Sequence, residues 1–260
     1  MTATTAATAA PATRPPKPST LTYTRYEMLR ALRNFRFFAF SLVFPLVLYL
    51  LVAGSNRHEH LDGISFPLYY MTGMAAWGTM TAVIAGGARI ALERTLGWNR
   101  QLRVTPLSVR SYLQAKVLTG YVIAVASIVL LYAAGIGMGV HLSAGHWVEM
   151  TLMLLIGLIP FAALGILLGH VLSADSMGPA MGGVTSLLAL LGGAWGPIGG
   201  SGSFLRHLTE LLPSYWLVQA GKTAVGGEMW PAKGWIVLAV WTLVLTRLSV
   251  RAWQRDTQRA

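Results

Sequence analysis

The sequence predicts an all-α integral membrane protein with six transmembrane helices. Three observations point there. The 260-residue chain is 54% hydrophobic and only 11% charged, against roughly 25% charged in a soluble domain. Several windows exceed the roughly 18 apolar residues that mark a spanning helix. Lysine and arginine gather in alternate connections between those windows. Beside six spans there is no room for a separate catalytic domain of usual size. The absence of cysteine excludes disulfides and thiolate metal sites.

Residues 1–20, "MTATTAATAAPATRPPKPST", are small, repetitive and proline-rich, and read as a disordered tail. They carry no apolar core of the signal-peptide kind. Residues 21–36 read as an amphipathic helix. Tyr26, Leu29, Leu32 and Phe35 recur every three residues, and Arg25, Arg30, Arg33 and Arg36 supply the polar side. Such a segment suits the headgroup layer; it equally suits the basic flank of a first span. The transmembrane domain covers 37–250, with spans at 37–54, 68–91, 117–140, 150–172, 178–198 and 233–250. The fifth holds Pro179 and Pro197 and several glycines, so it is expected to be broken or partly re-entrant. Residues 199–232 form a long connection. Phe204, Leu208, Leu211 and Leu212 lie at helical spacing, then Pro213, then Trp216, Ala220 and Thr223. This predicts two short amphipathic helices split at Pro213 that dip into the outer leaflet, marked by Pro213, Tyr215 and Trp216. Residues 251–260 are a basic tail.

Orientation follows from charge. With the N-terminus inside, the inner segments hold 16 of the 20 lysines and arginines: six before the first span, six from Arg89 to Lys116, and four from Arg247 onward. Arg57, Arg206, Lys222 and Lys233 fall outside. The bias predicts both termini in the cytoplasm. It also explains the net charge of +11 by anionic lipid headgroups, with no need of nucleic acid.

Other motifs resolve against catalysis. "AGKT" at 220–223 has the tail of a phosphate-binding loop, but the required earlier glycine is replaced by Trp216. This chain is not expected to hydrolyse ATP. His58, His60 and Asp62, and separately His141 and His146, read as solvated loop residues, because a metal needs three or four converging ligands. The ionisable residues Arg89, Glu93, Glu149, His170 and Arg247 all fall near span ends, which counts against a proton-coupled carrier and a membrane enzyme. Glycines four apart (135/139, 165/169, 178/182, 192/196) permit close helix approach, within the subunit or between subunits.

The stretch "ERTLGWNRQLRVTPLSVR", 93–110, stands apart. It begins where the second span ends, keeps Leu96, Leu102, Val104 and Leu107 for the membrane surface, and breaks at Thr105-Pro106. On composition it is a basic inner loop. Its pattern, however, resembles the segment after the second span in permeases of the ABC type-2 transporter family. Glu93, Gly97, Leu102, Thr105, Pro106, Leu107 and Lys116 match the family's acidic-basic start, turn, Leu-rich helix, Thr-Pro pair and basic approach to the next span. The second acid frequent in the family is replaced by Thr95-Leu96. "LLPSYWLVQAGKTAVGGE" is similar to the family's late Pro-aromatic segment, and the likeness covers nearly the whole chain.

The resemblance implies a bacterial plasma-membrane exporter subunit of six spans, with an interface helix and outer re-entrant helices before the sixth. Two permease copies, identical or related, would form the pathway, and a separate cytoplasmic ABC ATPase would bind the ATP; this chain itself would carry no cofactor. Residues 93–110 would be the coupling helix, with contacts expected from Glu93, Arg94, Gly97, Arg100, Leu102, Arg103, Thr105, Pro106 and Leu107. The interface helix would also touch the ATPase. Charge reversal at Glu93 or Arg100 is expected to uncouple transport and spare folding. Small members of the family often export antibiotics or confer resistance, which implies an amphipathic drug-like or lipid-like cargo. An ATP-independent carrier or channel, and a membrane scaffold subunit, stay open as alternatives.

Overall fold

A computed structural model describes residues 20–33, 39–61, 63–97, 107–196, 204–226 and 229–259. Arg36, Asp62 and Pro197 lie outside them, as do Arg100, Leu102, Arg103, Thr105 and Pro106 of the expected coupling stretch. In chain order the elements are α1 (Thr20–Leu32), one π turn (Ala39–Val43) running into α2 (Phe44–Ser55), and strands β1 (His60–Leu61) and β2 (Ile64–Ser65). Then come α3 (Phe66–Thr95), α4 (Val109–Gly137), α5 (Ala144–Gly157), α6 (Ile159–Val171) and α7 (Ala174–Gly192). The last three are α8 (Phe204–Thr209), α9 (Pro213–Gly226) and α10 (Ala232–Arg259). The strands form one small antiparallel hairpin, His60 opposite Ser65. Among the described residues, every other regular element is helical.

Among the described residues, four segments are long and apolar enough to cross a membrane: Phe66–Thr95, Val109–Gly137, Ala144–Val171 and Ala232–Asp256. The third joins α5 and α6 across Leu158, where Pro160 removes a donor and both Phe161 and Ala162 turn their N–H groups to the Leu158 carbonyl. The first expected span is a shorter apolar helix, Ser41–Ser55. In a straight α-helix the Pro45 ring would press on the carbonyl of Ser41; the wider π turn just ahead relieves that contact. The fifth is one unbroken helix that carries Pro179 in its second turn. It ends at Gly193, whose φ of 77° suits a left-handed cap.

Three helices start earlier than hydropathy alone predicts, and serines explain why. Ser108, Ser143 and Ser173 are N-caps, each accepting the backbone N–H three residues on. The third expected span therefore begins at Val109 rather than 117. This correction carries Lys116 out of the expected inner loop and into helix α4.

The bundle is built around α3, whose most apolar stretch is 89% buried, whereas that of α10 is 17% buried. The sequence of α3 accounts for its place. It is rich in Gly, Ala, Thr and Met and has the lowest hydropathy of the four crossing helices. Small side chains let neighbours approach on every side, while the greasier helices face outward. At the α3–α6 crossing, Gly87 faces Gly165 and Gly169 so closely that a Cβ on any of the three would collide with opposing backbone. At the α3–α4 crossing, Gly86 and Gly120 play the same part. Helix α9 seats Gly221 against Thr72 of α3 and buries Trp216 and Leu217. The split at Pro213 falls where the sequence places it.

Candidate functional site

The exit of α3 is where the chemistry concentrates. Glu93 and Arg94 are neighbours in sequence, so their side chains leave the helix about 100° apart. Each holds a different pair of helices.

Glu93 is 3% exposed. It accepts an ion pair from Lys116 of α4 and a hydrogen bond from the Tyr112 hydroxyl, and Arg30 of α1 approaches to 3.4 Å. Lys116 is fully buried and also reaches Glu27 of α1 at 2.5 Å. Arg89, one turn before Glu93, lies 3.9 Å from Glu27. Two carboxylates and three cations thus meet where α1, α3 and α4 converge. A lysine ammonium without water is tolerable only because both carboxylates lie within hydrogen-bond reach.

Arg94 turns the other way. Its guanidinium meets Asp256 of α10 at 2.6 Å and donates to the carbonyls of His170 (2.8 Å) and Gly169 (3.4 Å) at the end of α6. Those carbonyls lack helical partners, and a cation there also meets the negative end of the helix dipole. Below the pair, Gly97 adopts φ 71° and closes α3. The segment that continues toward Leu107 therefore leaves a base fixed to four other helices.

These contacts change the expectation for Glu93. Its carboxylate is enclosed by its own chain, and a reversed charge there would meet Lys116 and Arg30 as like charges, with Glu27 the one carboxylate left in the cluster. Lost folding, not clean uncoupling, is the physical consequence. Glu27 and Tyr112 were not singled out from sequence. Their signal is the pairing of lone ionisable residues at three helix ends, legible only once the helices are placed.

Helix α1 also turns out differently in detail. Its buried face is Thr24, Glu27 and Ala31, while Tyr26 and Leu29 are exposed at 68% and 49%. Tyr26 and Leu29, two of the four residues of the apolar row read from sequence, thus point away from the bundle. Arg25 and Arg33 are exposed as well. Further along, Pro213 and Trp216 are buried, and Tyr215 packs edge-on against Trp216. The Trp216 indole N–H donates to the Glu210 carbonyl at 2.8 Å. Glu210 pairs with Lys233 at 2.5 Å and with Arg206, and these cations hold its carboxyl below the usual range. His58 and His60 are exposed beside the hairpin.

Two cavities line up along one face of α3, between it, α7 and the start of α2. The larger, about 460 Å³, is lined by Thr81, Ala85, Ala88, Met177 and Met181, with Arg89 at its ionic end. The smaller, about 330 Å³, is lined by Phe44, Tyr70, Trp77 and Trp195. Trp77 makes edge contacts with Phe44 and Trp195, at centroid distances of 5.5 and 5.4 Å. Tyr70, Trp77, Thr81, Ala85, Ala88 and Leu92 follow a spacing of seven, four, four, three and four, so they share one helix face. The furrow is apolar along its length and charged at one end.

A bundle of apolar helices, a charged base and a lined furrow fit a membrane protein that moves something. The model for the family described as "ABC-2 family transporter protein" matches residues 55–251, most of the chain. The chain belongs to the ABC-2 transporter family. It is a multi-pass membrane transport protein. Within that family it is similar to a Bacillus subtilis (strain 168) protein named "Putative transport permease YvfS". The two are 29% identical over 215 residues, covering 82% of this chain and 88% of the relative. The family match begins at Ser55, so it takes in α3, the 93–107 stretch, the furrow face of α7 and the Pro213 helices, while α1 and α2 precede it.

Proposed function

We propose that this chain is the permease subunit of a bacterial ABC exporter of the plasma membrane, driven by a separate cytoplasmic ATPase, with six spans and both termini in the cytoplasm. The observation that carries this reading is the double anchorage of Glu93 and Arg94. A segment that leaves a base fixed to α1, α4, α6 and α10 transmits a push without slack. The basic, proline-broken stretch 93–110 then serves as the coupling helix, and ATP-driven closure of the ATPase dimer moves α3 as a lever. The chain brings no nucleotide site of its own; ATP is bound by the partner.

The cargo is an amphipathic drug-like or lipid-like molecule that enters the furrow between α2, α3 and α7. Its apolar wall and its ionic end at Arg89 suit such a molecule. A second permease copy completes the pathway. In support, Gly183 on α7 is exposed and has no neighbouring atom within 4 Å of where a Cβ would stand, unlike Gly165 and Gly169, which pack inside the subunit.

Co-purification tests the reading. The tagged protein, extracted gently from its native membrane, is expected to retain an ATPase in stoichiometric amount. Arg100→Glu with Arg103→Glu is expected to lose it while the permease stays folded. A well-folded permease that retains no ATPase in either form, and transports when reconstituted alone, would establish a self-sufficient carrier instead.

A further inference from the structure

A third cavity lies apart from the furrow, against the Arg94 side of the coupling base. It is a cleft of about 420 Å³ between the last turn of α6 and the C-terminal part of α10. Arg94 and Asp256 stand at its inner side. Arg251 and Arg255, one turn apart on α10, stand at its mouth, and Leu167, Val171 and Leu248 form its apolar lip.

The charges are unevenly used. Arg94 is engaged by Asp256 and two carbonyls. Arg251 and Arg255 are exposed and make no hydrogen bond or ion pair among the described residues. Three guanidiniums thus face one carboxylate. The lip is unusual for a solvated basic patch: Val171 is 62% exposed and Leu248 40%, on two helices that are apolar enough to cross a membrane. The walls are fixed in advance, because the Ser249 hydroxyl ties α10 to the Ala163 carbonyl at 2.8 Å.

We propose that this cleft binds an anionic phospholipid, its phosphate headgroup between Arg251 and Arg255 and its acyl chains along Leu167, Val171 and Leu248. Arginine forks match phosphate oxygens in paired hydrogen bonds. A basic pocket between spanning helices at headgroup depth is the geometry such lipids take. An acidic protein surface would supply the negative charge, but it would leave the apolar lip against water. The bound lipid bridges α6 and α10 beside Arg94, so the anionic-lipid content of the membrane bears on how firmly the coupling base is held.

Native mass spectrometry of the full chain tests this, with dioleoyl-phosphatidylglycerol and dioleoyl-phosphatidylcholine as probes. The first is expected to be retained about tenfold better. R251Q/R255Q is expected to remove the preference, while R57Q/R110Q, which deletes the same charge at exposed positions outside the cleft, keeps it; circular dichroism confirms that both variants fold. An absent preference, or one untouched by R251Q/R255Q, overturns the proposal. Displacement of the lipid by millimolar inorganic phosphate reassigns the cleft to free phosphate and also overturns it. So does a double variant that keeps its lipid but loses a co-purifying protein, which assigns the cleft to that protein.

Discussion

Glu93 is held by three different donors, and removing its charge therefore has a definite sign. Glu93→Gln leaves Lys116 buried with Glu27 as its one remaining close carboxylate. Breaking a buried ion pair from one side costs on the order of 3–5 kcal/mol. A clear fall in melting temperature in detergent is expected, and Glu93→Lys should remove the protein from the membrane fraction. Tyr112→Phe deletes one donor to the same carboxylate and should cost only about 1.5–3 kcal/mol. Equal stability of Glu93→Gln and wild type would show that the network is dispensable. Glu210 gives a pH signature. Its folded pKa is depressed, first by the Lys233 hydrogen bond and then by the charges of Lys233 and Arg206. The contribution is therefore fully present above the unfolded glutamate pKa and is lost as pH falls through the lower folded value. Lys233→Met should flatten the acid limb of the thermal-stability profile below about pH 5 and leave neutral pH little changed. An identical acid limb in both proteins would refute that assignment.

Between helices, the glycines divide into two groups with opposite expected effects. Gly165 is pressed against the backbone of α3, so Gly165→Leu should force α6 away and destabilise the fold, as overpacking does, by 1–3 kcal/mol or more (roughly). Gly183 is exposed on α7, faces open space and does not line the furrow. Gly183→Leu should leave the melting temperature of the subunit nearly unchanged and weaken its association with a second copy. Cross-linking in the native membrane reads the association, and melting in detergent reads the fold. A dimer yield equal to wild type in this variant would remove α7 from the interface. The same small-residue chemistry thus serves packing in one helix and leaves a surface in another, and only the neighbours decide which.

The bundle is tied most densely at one end. Helices α1, α4, α6 and α10 all meet the last turn of α3 through ion pairs or carbonyl contacts, whereas the other end is joined by aromatic packing, the Glu210–Lys233 ion pair and hydrogen bonds such as Trp241 to the Leu211 carbonyl. A force applied near residue 97 is distributed at once to the four helices. Along the furrow proposed for the cargo, the walls are methionines, alanines and glycines, and methionine side chains adapt to different shapes. Trp77→Ala is expected to enlarge the aromatic end and to change which amphipathic compounds are exported, read as a shifted resistance profile in cells rather than a uniform loss. A uniform loss at unchanged protein level would place Trp77 in the scaffold instead.

Much of this architecture is fixed by local pattern. Apolar run length sets where helices lie, and Pro213 and Gly193 end or divide them because the backbone has no alternative there. The serines at 108, 143 and 173 set three starts by the same local logic, and reading hydropathy without them put Lys116 in a loop. The 93–107 stretch was legible as a distinct basic, proline-broken connection. What tertiary structure alone decided is which of its charges face inward. Glu93, Glu27 and Lys116 are separated by tens of residues, and each by itself looks like an ordinary charge at a helix end. Their pairing depends on the crossing of α1, α3 and α4, which in turn depends on Gly86 and Gly120 allowing α3 and α4 to touch. Burial of a charge is a property of the neighbours that surround it, so no local reading reaches it.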